Sequence, residues 1–424
     1  MKSKKGLSRR ALLSGTAISI IPANSIAQSI KKDSPNWMTS PGKPFNEYGL
    51  PSPQEKNTKR EIFQPYEEYA PGSGVSMTPL EKLEGIITPN GLHFERSHNG
   101  VPNIDARQHE FLIHGLVEKP LVFKIEDLLK YPMETKTYFI ECGGNSFYNS
   151  NAFPIAIDRT CGSIHGLIST SEWTGISLKT LLNEAGIKKE ALWLLAEGAD
   201  AAAMSRSIPL EKALDDTLIA LYQNGERIRP EQGYPMRLVV PGWEGNISIK
   251  WLRRIKLTKK PTYTKDETSK YSDLLANGKT LQFTFPMEVK SVITQPTAGP
   301  VHLNKGPIHI TGLAWSGLGN IKKVEISTDK GKTWKKAKID GANQPFAPVR
   351  FRYNWIWNGE ECSISSRATD NRNNVQPQRK DWSVKYGLGH LYHNNSIQIW
   401  RVTPEGRVFN EYDDLAQNEK WSEK

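Results

Sequence analysis

Cysteine is scarce in this chain: Cys142, Cys161 and Cys362 are the only three among 424 residues. No two of them form a Cys-x-x-Cys pair, which disfavours a structural zinc site. No Cys-x-x-Cys-His is present either, so no haem is expected on this chain. No apolar run approaches the roughly 20 residues that a membrane-spanning helix needs, so no membrane span is expected. The formal charge of +11 is scattered, and no recognition motif for nucleic acid accompanies it. Internal repeats are absent as well.

Length and composition point to a two-domain, β-rich chain. Single cores stop growing at roughly 250–300 residues, and 424 exceeds that. Twelve Trp, 33 Gly and 27 Pro suit a loop-rich β body better than a helical bundle. The first ten residues are basic, Ala11 to Ala23 are apolar or small, and Ser25-Ile26-Ala27 offers a cleavage site. Residues 1–27 therefore read as an export signal. Ser8-Arg9-Arg10-Ala11-Leu12-Leu13 fits the twin-arginine pattern, which exports folded, cofactor-loaded proteins to the periplasm. The other reading is a signal for unfolded export that contains Arg-Arg by chance. Removing residues 1–27 takes away five bases and no acid, leaving a charge of about +6. That modest excess favours an anionic substrate or an acidic partner.

Residues 28–75, rich in Pro, Lys, Ser and Gly, are expected to form an extended arm. Residues 76–285 mix helix and strand signals without βαβ alternation and are expected to form an α+β domain. Its strands are predicted at Glu110–Gly115, Leu121–Lys124, 191–196 and 236–241, and its helices at 125–130 and 178–184. Residues 286–405 carry short strands at 289–294, 308–314, 322–328 and 350–355, separated by turn residues. That spacing predicts an immunoglobulin-like β-sandwich. Residues 406–424 are left as a C-terminal tail. A polar stretch, 259–282, connects the two bodies.

Three segments carry chemistry. In Phe139-Ile140-Glu141-Cys142-Gly143-Gly144-Asn145-Ser146 an apolar strand delivers a thiol into a glycine turn. Glycines permit positive φ and close approach of a bulky group, and a thiolate is a soft metal donor. A disulfide between Cys142 and Cys161 is the competing reading in an oxidising compartment. In the segment Thr88 to Pro102, Arg96 and His98 share a face if the backbone is extended, as suits a phosphate or oxyanion; a solvated turn explains them equally well. From Gln232 to Leu252, Arg237 opens an apolar strand and Lys250 follows a glycine-containing loop. This is either an anion cradle or ordinary surface charge at strand ends.

Together the three segments resemble the sulfite oxidase family. That family places one Cys in a Cys-small-Gly-Asn turn, an Arg-x-His before a Pro-containing loop, and Gly-x-Pro-x-Arg before Lys-Trp-Leu, all in this order. The likeness extends over nearly all of residues 80–405, through Glu197-Gly198-Ala199-Asp200, Arg206 to Leu210, Tyr222-Gln223-Asn224-Gly225 and Lys250 to Arg254. Within the family it is greatest to the catalytic subunits of sulfane dehydrogenases.

The resemblance implies one molybdenum held by a single molybdopterin, with Cys142 as the protein ligand of the metal. Ser97, His98, Asp200, Arg237, Ser248 and Lys250 would hold the pterin and its phosphate. Arg96 falls where the family has a substrate-facing Arg, and Tyr271 where it keeps an active-site Tyr. It also implies a dihaem c-type cytochrome subunit as electron acceptor, a sulfur-carrier protein as substrate, and homodimerisation through the C-terminal domain. The chain departs from the family in three places. Ser146-Phe147 replaces a pair of basic residues, Glu231 or Gln232 stands where a His is expected, and the tail arginine of sulfite enzymes aligns near His393. A less cationic pocket favours a bulky, thiol-linked sulfur substrate. The alternatives are a sulfite:cytochrome c oxidoreductase and, in another class, a non-catalytic exported binding module.

Overall fold

The computed structural model describes residues 35–64, 67–150, 158–300, 302–387 and 389–411. The expected export signal, 1–27, lies outside them. The chain divides into a unit ending at Lys56 and a body of residues 57–424. The described part of the first unit holds one short helix, Asn36–Thr39, and a 3-10 turn, Pro53–Glu55, neither with a buried residue.

Two five-stranded sheets build the first half of the body. One joins Glu134–Glu141, Ile168–Ser177, Leu218–Gln223 and Glu226–Arg227 in order, with Arg237–Val239 also paired to Leu218–Gln223. The other runs Leu121–Lys124, Glu110–Gly115, Leu252–Thr258, Trp193–Gly198 and Ser205–Pro209, and Glu110–Gly115 pairs in parallel with Leu252–Thr258. The helix Leu178–Ala185 places Leu178, Leu181, Leu182 and Ala185 on one buried face, as i, i+3, i+4, i+7 spacing requires. Gly186, at φ 72°, ends it. The α+β expectation and the positions of these strands and helices match what the fold contains.

The second half is built from two antiparallel sheets. One orders Lys290–Gln295, Gly306–Trp315, Val349–Trp357 and Lys338–Asp340; the other orders Lys335–Lys336, Ile321–Ser327, Cys362–Asp370, Ile399–Val402 and Val408–Glu411. Both contribute to one apolar core with Trp315, Phe351, Ile364 and Trp400, which continues into Phe139, Cys161 and Ile164 of the first half. Burying each large apolar side chain contributes about 1.5–3 kcal/mol, so the halves share a substantial part of their stability.

Two boundaries differ from expectation. Residues up to 75 were expected to form an arm, yet Glu61–Phe63 and Gly74–Met77 are strands in a sheet completed by Glu95–Ser97. Strands this short carry little local signal, and distant pairing decides them. The expected tail at 406–424 begins with a strand: Gly406 turns the chain at φ 81°, and Val408 and Asn410 are buried where Val408–Glu411 pairs with Ile399–Val402. Residues 412–424 lie outside the described part. All three cysteines are free, so the Cys142–Cys161 disulfide is not formed. Among the described residues no helix is long and apolar enough to cross a membrane.

The halves meet backbone to backbone. Met287 N–H donates to Gly242 O (3.0 Å) and Gly317 N–H donates to Met287 O (2.8 Å). A Cβ on Gly317 would overlap the Gly242 carbonyl oxygen. Gly317→Ala should therefore destabilise the protein by about 2 kcal/mol or more, read as a lower urea midpoint; an unchanged midpoint would show that the seam yields.

Candidate active site

Cys142 leaves the end of the strand Glu134–Glu141. Its N–H donates to Leu167 O (2.9 Å), and its carbonyl accepts from Asn145 N–H (2.8 Å), closing a tight turn. The left-handed residue of this turn is Ser146, φ 72°, rather than either glycine. Neither glycine is sterically required: a Cβ on Gly144 would make only ordinary contact, 3.9 Å, with Cys142 Sγ and the Tyr392 ring. Cys142 is half-buried. Burial pushes its thiol pKa up; a backbone hydrogen bond from Gly144 and the charge of Arg96 oppose this, while Glu244 and Glu141 reinforce it.

Sγ opens on a cavity of about 70 Å³. All nine residues picked out from the sequence line it: Arg96, Ser97, His98, Cys142, Asp200, Arg237, Ser248, Lys250 and Tyr271. Arg237 is buried and donates to Gln232 O (3.0 Å) and Ser248 O (2.8 Å), while its Nε has no partner. Lys250 Nζ donates to Glu231 O (2.9 Å) and Ser97 Oγ (3.4 Å). Asp200 Oδ1 and His93 Nε2 are buried without partners. Orphaned buried groups of this kind are costly unless something binds them.

The cations crowd one another. Loss of hydration lowers Lys250 from 10.5 to about 7, with Arg237 adding to the fall, and lowers Arg237 well below its ordinary value, to about 9. Burial also draws His93 and His98 down to about 3, helped by Arg237 and Arg96 respectively, so both imidazoles are neutral near pH 7. The arrangement suits an anionic, hydrogen-bonding group at one end and a soft metal at the other.

Tyr271 arrives from the polar connector. Thr264 Oγ1 caps the helix Lys265–Ser269, and the buried Glu267 within it pairs with Arg206 Nε (3.0 Å). The Arg206 guanidinium lies 4.8 Å from the Tyr271 ring centre. Burial, with Cys142 and Tyr392 adding, holds the Tyr271 hydroxyl well above its usual pKa, so it keeps its proton.

A second opening reaches Cys142 between Phe63, Val75, Phe147, Leu391 and Tyr392, with Arg96 and Lys270 on its wall. Phe63 and Phe147 stack at 6.2 Å between centroids, and Tyr392 lies 5.7 Å from Tyr271. Gln232, where the resemblance leads one to expect a His, lines the cavity and donates to Phe94 O (2.9 Å). His393 does not face the cavity. It is buried between Glu244 (2.8 Å), Glu288 (3.2 Å) and Asp273 (3.6 Å), and its N–H donates to Gly143 O (2.9 Å).

A family model described as an oxidoreductase molybdopterin binding domain matches residues 98–265, and one described as a Mo-co oxidoreductase dimerisation domain matches 282–400. The crystal structure of the sulfane dehydrogenase SoxCD from Paracoccus pantotrophus superimposes with a TM-score of 0.85 at 42% identity, covering 90% of this chain and 98% of that one. The chain belongs to the sulfite oxidase family of molybdopterin oxidoreductases. Mitochondrial sulfite oxidase from Mus musculus is 30% identical over 76% of the chain, and NADH nitrate reductase from Solanum lycopersicum 29% over 73%. The chain spans 63% of the length of the first and 38% of the second. As a member of this family it carries cavity groups that sequence reasoning missed. His93 stood three residues before Arg96 unremarked, because its ring nitrogens acquire meaning only from burial. Tyr392 gave no signal beyond an aromatic next to a His.

The depressed Lys250 sets a pH dependence. Between about pH 7 and 10.5 the unfolded chain holds a proton that the cofactor-free fold has lost, so stability rises with pH across that window. Below pH 7 the cost of the buried charge is fully present. Thermal denaturation of cofactor-free protein should show this rise, and Lys250→Met should flatten it. Inorganic phosphate should stabilise the protein more near pH 7 than near pH 9; equal stabilisation at both would exclude Lys250 from anion binding.

Proposed function

We propose that this chain is the molybdenum-bearing catalytic subunit of a periplasmic sulfane (sulfite) dehydrogenase, exported folded by the twin-arginine route. In this reading it oxidises sulfur carried on a protein cysteine and passes electrons to a dihaem c-type cytochrome. One observation carries it: a thiol, Cys142, shares a single cavity with two crowded cations, Arg237 and Lys250, and with the unpartnered atoms Arg237 Nε, His93 Nε2 and Asp200 Oδ1. These groups fit molybdopterin. Its phosphate would lie against Arg237, Lys250 and Ser248, its pterin against Asp200, His98 and Ser97, and its molybdenum on Cys142 Sγ. One pterin per metal is expected.

The bound molybdenum supplies the two-electron oxidation of sulfur. The protein's own groups prepare that reaction. Cys142 must surrender its proton to bind metal, and a bound cation makes that favourable against the burial penalty. An anion beside Lys250 likewise restores the lysine's charge. Arg96 would neutralise the sulfur substrate's charge, and Tyr271, which retains its hydroxyl proton, would be able to donate a hydrogen bond to the bound substrate or cofactor. The second opening is lined on several sides by apolar rings. Free sulfite, small and doubly charged, gains little from such a wall, whereas a cysteine-linked sulfur on a peptide arm fills it. The matched dimerisation domain, read here as immunoglobulin-like, supports a homodimer, with a haem subunit beside each copy.

Metal analysis of protein from its native host tests the enzyme class: about one molybdenum per chain is expected, and metal-free folded protein would point to a binding module. Cys142→Ser should lose metal and activity while staying folded by circular dichroism; full activity would remove Cys142 as ligand. For the substrate, Phe147→Ala should raise KM for carrier-bound sulfane about tenfold with little change in kcat. Sulfite kinetics should move less. Faster turnover of sulfite than of carrier-bound sulfane by the wild-type protein would assign the chain to sulfite:cytochrome c oxidoreductases instead.

A further inference from the structure

The turn that bears Cys142 is held from beneath by side chains that do not line the cavity. Lys290, at the start of the strand Lys290–Gln295 in the second half, is buried. Its Nζ donates to Ser146 Oγ (2.6 Å) and pairs with Glu141 Oε1 (3.3 Å). One ammonium thus grips the residue just before Cys142 and the residue that ends the turn. Glu141 is further held by Trp315 Nε1 (2.6 Å), and Ser146 Oγ by His165 Nδ1 (2.7 Å). Ser146 has φ 72°, a conformation that a serine rarely adopts without outside support. Lys290 provides that support from 144 residues away in sequence.

We propose that Lys290 is a positioning residue for the metal ligand: from the second half of the chain its ammonium clamps both ends of the 141–146 turn and fixes where Cys142 Sγ points into the cavity. The proposal rests on Cys142 being the ligand, and it gives the second half a role at the site besides dimerisation. The competing explanation is that Lys290 merely neutralises a buried carboxylate. The two differ in what happens when the carboxylate no longer needs neutralising.

The test compares Lys290→Arg, Lys290→Met and the double variant Glu141→Gln/Lys290→Met. In the double variant no charge is left uncompensated and the glutamine oxygen can still accept from Trp315 Nε1, so the protein should fold even if Lys290→Met alone does not; Glu141→Gln alone, in which the same amide group faces Asn145, is the reference for the loss of that bond. Two readouts apply: the midpoint potential of molybdenum in the holoenzyme, and the iodoacetamide alkylation rate of Cys142 in cofactor-free protein, with Cys362 as internal reference. Clamping predicts that the double variant melts near the wild-type temperature. Its Cys142 should nonetheless be alkylated about tenfold faster, as local opening of a released turn allows, and its metal potential should be displaced. Lys290→Arg should keep both readouts near wild type. A double variant with wild-type alkylation and potential would overturn the proposal and leave Lys290 as a neutralising charge. Wild-type protein that binds no molybdenum would refute the functional reading, while the alkylation rates would still decide the clamp.

Discussion

A fully buried carboxylate stands one residue before the cavity's thiol, and both halves of the chain are arranged around satisfying it. Glu141 accepts from Asn145 Nδ2 (2.9 Å), Lys290 Nζ (3.3 Å) and Trp315 Nε1 (2.6 Å). Asn145 belongs to the Cys142 turn, whereas Lys290 and Trp315 face each other across the paired strands Lys290–Gln295 and Gly306–Trp315 of the second half. Breaking such a pair by removing one partner costs about 3–5 kcal/mol, yet replacing both with apolar groups is often neutral. Stability alone therefore does not account for an ion pair here. A charged contact is directional where an apolar one slides, and direction matters next to a group that must meet a metal.

The opposite economy rules the far end of the cavity. Arg237 and Lys250 sit together with too little negative charge, and Arg237 Nε, Asp200 Oδ1 and His93 Nε2 lack partners. A fold optimised for its own sake would pair these groups; their neighbours Gln232, Ser248 and Glu231 offer only carbonyls. Local rules broken in one place and kept elsewhere mark a binding surface. The cost is borne by a well-packed surround: Trp173, Ile247, Leu252 and Val239 are almost fully buried around the cradle.

Much of this was legible in the sequence because the informative residues lie in short contiguous segments. Arg96 to His98, Cys142 to Ser146 and Arg237 to Lys250 each combine a chemical group with the turn that presents it, and the nine residues drawn from them, from Glu197 to Asp200 and from the connector share one cavity. What escaped depended on distance or burial. The Lys290–Glu141 pair joins residues 149 apart, and nothing local to Lys290 distinguishes it from the many lysines of the chain. The glycines after Cys142 looked like the source of positive φ, but Ser146, which Lys290 contacts from the second half, takes that role. The strands Glu61–Phe63 and Val408–Glu411 exist through pairing with partners that no local pattern specifies.

His393 shows how position and role separate. By sequence it falls near an arginine that sulfite enzymes direct at substrate; in space it turns away, held by Glu244 and Glu288, which with Asp273 keep its pKa well above the ordinary value despite burial. A cation neutralised on three sides offers little to an anion in the cavity. Tyr392, its neighbour, faces Cys142 instead and brings a ring where a charge was expected. The second opening is thereby more apolar than the end of the cavity that holds Arg237 and Lys250. A small dianion would be held by charge, and at the near end the cations Arg96 and Lys270 stand among apolar rings. On the proposed reading, a sulfur atom borne on a longer arm would meet Arg96 at its tip and apolar contact from Phe63, Phe147 and Tyr392 along its stem. The apolar rings of the second opening, rather than its charge, are therefore what would separate the two proposed kinds of substrate.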